Sequence, residues 1–535
     1  MKKRTKLRLT LGSLAAGYLA ALGWVYLRST PLLSSRPVTI RMAHWQIEQG
    51  PPDGFAAVIR RYEELNPRVH VEQVTVPGPL YRTWLRSNFG GRMGTDLVEF
   101  AYFIGGVNDI PVRYFEPLTG LMAEPNPYNR GTPLEKVPWR LTFADGLYFA
   151  IAQSPEIGQI YAATVTQGSS RLFCNRPLLD RITGGHGAAP RTMADFRAIC
   201  AQVDDYARRT GTVVHPLAGS LLNGQWLIDF TMAGSVSGMN LALDREGYLA
   251  RKPRQAMTDY LLGRWSYRRP ELRAALTLAR EMVMQMKPGY AQLSRDDAVQ
   301  EFQRGEALFI YAGTFDATSL KKNAPFPVEA MRFPQPQKDD PVVGPYISGP
   351  FQDGAIATGV EFYLNKDSPH KAEAVDFLRF LTSVEGGTIF QTHSGWLSSV
   401  RGVPVPPELE AYRPTGDGYT TGMQYIGVGP NSTMKFWQHL HLLTGPQGSV
   451  EKFAEAVEAD MPRAITADLR LELSGNLTAV RTVDAEIIAL GALNRLGPPD
   501  AARAERQRTL AGGQTLSEAD GYEAAWVLAR HGYTP

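Results

Sequence analysis

Apolar side chains in residues 39–45 follow an extended pattern that reads as a strand. Phe55, Val58, Ile59, Tyr62 and Leu65 then recur at helical spacing until Asn66-Pro67 stops the helix. Residues 69–76 return as a second, mostly alternating strand. Beyond Pro77-Gly78-Pro79, the positions Tyr81, Trp84, Leu85 and Phe89 predict a second helix, closed by Gly90, Gly91 and Gly94, and residues 96–102 read as a third strand. Strands that alternate with helices predict a mainly parallel sheet covered on both faces, and such sheets bind ligands at the carboxyl ends of their strands.

The alternation resumes with a strand at 171–174, a helix over about 192–209, aromatic and Gly-rich segments around Trp226, a short helix at 296–304 and a strand at 307–311. Gly305 suits the left-handed position that ends the short helix. Ser368 and Pro369 read as an N-cap and first-turn pair for a helix whose apolar face is Ala374, Val375, Leu378 and Leu381. The fold class is therefore α/β, with two lobes of interleaved segments over residues 36–476. Residues 477–535 read as a C-terminal extension of Ala-rich helices, split by Gly497-Pro498-Pro499 and by Gly512-Gly513.

The start of the chain has a different character. Five basic residues precede an apolar run of 19 positions, Leu9 to Leu27. As a helix this run would cover ~28 Å, close to the ~30 Å of a bilayer core. Residues 1–35 thus form an export signal or an uncleaved membrane anchor. The only small-x-small sites, around Ser29 or Ser34 to Ser35, are poor ones for cleavage. The basic flank keeps that end in the cytoplasm and sends the rest outside the inner membrane. No cysteine stands at the end of the run, so lipid attachment there is excluded. The two cysteines, Cys174 and Cys200, sit in apolar patterns and read as buried thiols, with a disulfide as the other reading in an oxidising compartment.

The 535 residues suffice for about three or four domain-sized units of roughly 100 to 200 residues each. The net charge of +3 is concentrated in the first 35 residues, leaving a body close to neutral, with no electrostatic reason to bind nucleic acid. Signatures of serine hydrolases, zinc proteases and phosphate-binding loops are absent. His439-x-His441 is a weak metal pattern, read as surface or core. Asp96 with Glu99 would suit a glycosidase pair, although a solvated pair or helix cap explains them as well. The chain is instead rich in aromatic residues at predicted strand ends and in loops: Trp45 beside Gln46, Tyr102 near Glu99, Trp226, Phe315, Tyr346, Trp396 and Trp437. A sugar ring packs its C–H face on an aromatic ring and needs planar amide or carboxylate partners for its hydroxyl rim. Core packing is the competing explanation for each aromatic taken singly.

Five segments, in order over residues 38–465, resemble a known family. Ile40-Arg41-Met42-Ala43-His44-Trp45, followed by Tyr62-Glu63-Glu64-Leu65-Asn66-Pro67, is similar to its opening strand and the F/Y-E-x-x-x-P helix end. Thr95-Asp96-Leu97-Val98 resembles its third strand. Phe173-Cys174-Asn175-Arg176-Pro177-Leu178-Leu179 and then Pro190-Arg191-Thr192-Met193-Ala194-Asp195-Phe196 resemble Y-N-K-x-L and P-x-T-W-x-E-F. Phe302-Gln303-Arg304-Gly305-Glu306-Ala307-Leu308 leading to Gly313-Thr314-Phe315 resembles F-x-x-G-x-A-A-M…G-x-W. The run from Asn365-Lys366-Asp367-Ser368 to Phe377-Leu378-Arg379-Phe380-Leu381-Thr382-Ser383 resembles N-K-x-S…F-L-x-F-L-x-S.

The family is that of the extracellular solute-binding proteins of ABC importers, in its carbohydrate-binding, maltose-binding-protein-like group. The resemblance implies a two-lobed, hinged, type II periplasmic binding fold that closes on a carbohydrate and delivers it to an ABC permease, with no catalysis, cofactor or metal. By position, Trp45, Gln46, Glu99, Tyr102, Trp226, Phe315 and Trp437 would line the ligand, with Tyr346 and Trp396 placed less directly. Phe315 stands where many relatives carry Trp. The same architecture also serves non-sugar solutes such as polyamines, and sensory roles. The missing lipid cysteine and residues 477–535 depart from the pattern.

Overall fold

The computed structural model describes residues 38–47, 50–89, 91, 94–100, 110–147, 159–245, 253–351, 353–355, 359–415, 418 and 428–532, together with Tyr18. The apolar run at 9–27, apart from Tyr18, and Tyr102 lie outside the described residues. Among the described residues no helix is long and apolar enough to cross a membrane.

The chain opens with strand β1 (Val38–His44), helix α1 (Pro51–Leu65), β2 (Val69–Thr75), α2 (Gly78–Phe89) and β3 (Leu97–Glu99), the β-α-β-α-β run expected from the pattern. Pro51 and Pro52 start α1 where a missing N–H costs nothing, and its buried stripe of Phe55, Val58, Ile59 and Tyr62 faces the sheet and neighbouring helices. The short helix α3 (Ile110–Tyr114) follows, and β4 (Ala162–Thr164) completes this part. The chain then enters β5 (Gly168–Asn175), α4 (Met193–Thr210), β6 (His215–Ala218), α5 (Leu221–Ser235), α6 (Pro253–Leu261), α7 (Pro270–Val283), β7 (Ala307–Gly313) and β8 (Val328–Met331). Thr192 and Asp195 form a reciprocal capping box that starts α4, and Gly305, at φ 73°, takes the left-handed turn before β7. The pair β9 (Gly354–Ala355) and β10 (Glu361–Leu364) leads back, followed by α8 (Lys371–Leu381) and α9 (Val384–Ser394).

Two sheets result. Lobe 1 has the order β2-β1-β3-β10-β4, and lobe 2 has β6-β7-β5-β8, with β9 beside β5. The expectation of mainly parallel sheets holds only in part. β1 is parallel to β2 and β3, but β10 is antiparallel to both β3 and β4, and β5 is antiparallel to β7 and β8. The physical reason is the interleaving: a strand that re-enters lobe 1 from lobe 2 arrives from the crossing end and must run against the strands already there.

Three local expectations are corrected. Ser368 does not cap α8, because that helix starts at Lys371 after His370, and the Ser368 hydroxyl instead donates to Asp96 Oδ1 (2.6 Å). The boundary expected at residue 477 falls inside one helix. After α10 (Pro430–Gln438), α11 (Val450–Leu496) runs for 47 residues, ~70 Å, and ends at Gly497-Pro498-Pro499 as expected. Gly512-Gly513 does not split the last helix, since α12 (Ala501–Arg530) is continuous through both glycines. Pairing with α11 along its length outweighs the ~1 kcal/mol that each glycine costs a helix. Cys174 and Cys200 are both buried and unbridged, and burial pushes both thiols up.

His44, at the end of β1, is fully buried against Phe55, with ring centroids 5.1 Å apart, and pairs with Gln73 Oε1 (3.1 Å). Burial holds its pKa down at about 4, against 6.5 when unfolded. Between those pH values the unfolded chain binds a proton that the folded chain refuses, so this histidine removes stability as pH falls from 6.5 to 4, by about 3 kcal/mol when complete. His44→Gln should therefore lose about 2–3 kcal/mol less stability than the parent between pH 7 and 4.5, measured by urea unfolding. Identical losses in the two proteins would contradict this account.

Candidate functional site

The site begins with how the chain passes between lobes. Residues 165–167, 359–360 and 397–399 cross side by side and hydrogen-bond to one another: Val165 N–H to Val360 O (2.8 Å), Gln167 N–H to Leu397 O (2.9 Å) and Ser399 N–H to Val165 O (3.0 Å). Gly359 lies so close to Thr166 that a Cβ there would run into the threonine hydroxyl.

Strand register fixes which sheet edges border this crossing. In lobe 1, Thr164 pairs with Glu361, and Phe362 pairs with both Ala163 and Glu99, so the carboxyl ends of β1 and β3 lie at the crossing end. In lobe 2, β5 starts at Gly168 and Ser170 pairs with Gly313, so the carboxyl end of β7 lies there too.

On the lobe 1 edge, Trp45, Gln46 and Glu99 come together as the sequence suggested. The fully buried Glu99 carboxylate accepts from the Trp45 N–H (3.1 Å) and from Gln46 Nε2 (2.5 Å). The Trp45 ring stands edge-on to Tyr81, with centroids 5.0 Å apart, and the Tyr81 hydroxyl donates to Glu99 O (2.7 Å). Tyr81 thereby locks the two strand ends and supports the indole, a role the pattern analysis had given only to a helix face.

On the lobe 2 edge, Trp226, Phe315 and Trp396 form a second group. Ser220 caps α5, and Asn223 Nδ2 donates to Tyr311 O (2.8 Å), which fixes the helix start beside β7. Trp226 meets Phe315 edge-on at 5.8 Å, and Phe315 meets Trp396 at 6.4 Å. Arg295 pairs with Asp316 and lies 5.6 Å over the Phe315 ring. Trp396 belongs to the lobe 1 core, so this group reaches across the crossing, and its buried indole N–H has no partner among the described residues.

Tyr346 and Trp437 have other surroundings. Tyr346 sits in a 3-10 turn against Gly238. Trp437 packs on Phe436 in α10, half-buried against the margin of the lobe 2 core. His439 pairs with Asp460 (3.0 Å), and His441 Nδ1 lies 3.1 Å from Gln438 O. Asp96 accepts from the Arg41 N–H and from Ser368 beside the opposite end of the sheet. Three residues apart on an extended chain, Asp96 and Glu99 point to opposite faces, which removes the geometry of a glycosidase pair.

Two carboxyls were missed. Beyond its exposed first residue Leu221, α5 is buried except along Leu222, Gln225, Trp226, Asp229 and Ala233, a helical stripe, and Asp229 lies on it nearly one turn beyond Trp226. Glu361 begins β10 beside Thr164, its carboxylate accepting from the Tyr363 hydroxyl (3.2 Å). Loss of hydration raises both carboxyls to about 7, and for Glu361 the Asp145 carboxylate adds to the effect. The available signal was an acid inside an otherwise apolar element, Leu227-Ile228-Asp229-Phe230 and Glu361-Phe362-Tyr363-Leu364.

Two α/β lobes joined by crossing strands, with aromatic and carboxyl side chains on the edges that border the crossing, define a two-lobed ligand-binding protein. The chain belongs to the bacterial extracellular solute-binding protein family, whose model matches residues 118–414, more than half of it, and membership implies an extracytoplasmic location. No curated protein matches its sequence. Among solved structures, it is similar to the GacH receptor of Streptomyces glaucescens GLA.O, solved unliganded and with acarbose (13% identity, TM-score 0.55, 80% of this chain and 98% of that one). It is also similar to maltose-bound MalE3 of T. maritima (17%, 0.54, 80% and 99%) and to a chitin oligosaccharide binding protein (16%, 0.53, 80% and 98%). These likenesses establish the shared two-lobed fold.

A carboxyl whose folded pKa is raised costs stability above its unfolded value, and the cost is complete once pH passes the folded value. Asp229→Asn should therefore unfold at a higher temperature than the parent at pH 8 and at nearly the same temperature at pH 4. A constant difference at both pH values would remove Asp229 from the titrating groups.

Proposed function

We propose that this protein is a carbohydrate receptor of an ABC importer: its lobes close on an oligosaccharide and present it to the permease. One observation carries the reading. Aromatic rings and hydrogen-bonding carboxyls occur together on both edges that border the crossing, Trp45 with Gln46 and Glu99 on one side, Trp226 and Phe315 near Asp229 on the other. Such pairs meet both faces of a sugar, the apolar C–H face and the hydroxyl rim. Similar folds that bind acarbose, maltose and chitin oligosaccharides agree with this class. Closure rather than chemistry is the working step. Residues 1–35 serve as the export signal or tether.

A second reading follows from the carboxyls alone: Glu99, Asp229 and Glu361 would also suit a polyamine. The two separate in one experiment. Thermal unfolding with maltose, maltotriose, chitobiose, raffinose and galactose, and in parallel with spermidine, should give a saturable stabilisation by one sugar class. A ligand at a hundredfold excess over Kd contributes ~2.7 kcal/mol. Trp45→Ala and Trp226→Ala should each weaken that ligand by about tenfold or more, in line with the ~1.5–3 kcal/mol of a buried large apolar contact, over and above the fall in the ligand-free midpoint from packing lost on Tyr81 and Phe315. Stabilisation by spermidine alone would transfer the function to the second reading.

A further inference from the structure

The helical pair α11–α12 is anchored in lobe 2. Ile465, Leu469 and Leu473 of α11 and Ala524, Val527 and Leu528 of α12 are buried in the lobe 2 core. Arg254 of α6 pairs with Asp520 (3.0 Å) and Glu472 (3.4 Å), and Arg245 pairs with Glu523 (2.8 Å). Asn476 Nδ2 donates to Ser517 O (2.8 Å) and holds the two helices together where they leave that core.

The same pair continues into lobe 1. Val483 and Leu510 are buried in one cluster with Tyr81, Leu85, Val98, Phe100, Phe115 and Tyr161, and Ile487 and Leu490 pack on its margin beside Trp45 and Trp84. From Leu473 to Val483 is ten helical residues, ~15 Å of rigid rod. Farther out, Asn494 Nδ2 donates to Gln507 Oε1 (2.8 Å), and Arg506 pairs with Glu486. One stiff element is therefore cemented into the apolar core of both lobes, and its lobe 1 footing is the cluster that carries Trp45.

The family match ends at residue 414, before α11 begins, and solved relatives matched over 98–99% of their own length cover about 80% of this chain. Two lobes that swing about crossing strands cannot separate while a continuous helical pair stays buried in each. We infer that the α11–α12 hairpin is a strap that holds lobe 1 against lobe 2, so that opening the cleft requires the Val483–Leu510 face to leave the Tyr81 cluster. The inference concerns the lobes alone and stands whichever solute is bound.

The test reads lobe separation without ligand. Nitroxide labels are placed on Cys substituted at two exposed positions, Arg86 of lobe 1 and Arg208 of lobe 2, in the full chain, where Cys174 and Cys200 are buried. The parent should show a single narrow distance, with any open population under about 10%. Val483→Asp with Leu510→Asp should add a longer distance as the major population. A second variant replaces residues 479–514 by Gly-Asn-Gly, which the closeness of Asn476 to Ser517 permits, and keeps every lobe 2 contact named above. It should give the same opening without placing charge in a core. An unchanged narrow distance in the shortened hairpin would overturn the strap. Two well-populated distances in the parent would overturn it as well, whatever the variants do.

Discussion

The geometry of this molecule depends on the backbone pairing of the segments that pass between its lobes. Residues 165–167 are held on one side by Val360 and on the other by Leu397 and Ser399, so the crossing is a small sheet rather than a set of loose linkers. The sheet edges that border the crossing are registered from it. Thr164 sets Glu361, Glu361 starts the strand that sets Glu99, and Glu99 gathers the Trp45 N–H and Gln46. On the other side Ser170 sets Gly313, and with it Phe315. A one-residue slip at the crossing would turn each of these side chains to the opposite face.

The crossing also explains which parts of the fold were legible in the sequence. Local signals survived: the helix over 193–210 carries its own capping box, and Gly305 and Gly497-Pro498-Pro499 act within a turn of themselves. Features that depend on distant chain segments did not. The antiparallel insertion of β10 is a consequence of the return path, and no periodicity in Glu361–Leu364 encodes it. Ser368 reads as a cap until Asp96, far away in sequence, takes its hydroxyl. Gly512-Gly513 reads as a break until α11 lies alongside.

The candidate site was legible to the same degree. Strand-end position brought Trp45, Gln46 and Glu99 to one edge, because a β-α-β order fixes which ends of the strands lie together. Trp226, Phe315 and Trp396 meet through tertiary packing, but each lies near a recognisable element end. Trp437 follows Phe436 on an amphipathic helix and packs half-buried on the margin of the lobe 2 core, away from the two aromatic groups at the crossing. Asp229 and Glu361 were overlooked because an acid among apolar neighbours is visible in the sequence, but its place on a helix stripe or at a strand end beside the crossing is not.

The carboxyls and the strap bear on one another through the state of the cleft. A poorly hydrated acid that titrates near neutral pH is protonated or ionised at little cost, so it is able either to donate or to accept a hydrogen bond. That latitude exists only while water is kept away, since rehydration returns such a group to its ordinary range. A hairpin that limits how far the lobes part would limit rehydration of Glu361 and Asp229 between binding events. On this view the strap's effect on affinity comes less from new ligand contacts than from a cleft that is already partly dried and organised when the solute arrives, the part of the binding cost that rigid receptors avoid. The same rigidity would slow entry and release together, which would distinguish a strapped receptor from one whose lobes are joined by the crossing strands alone.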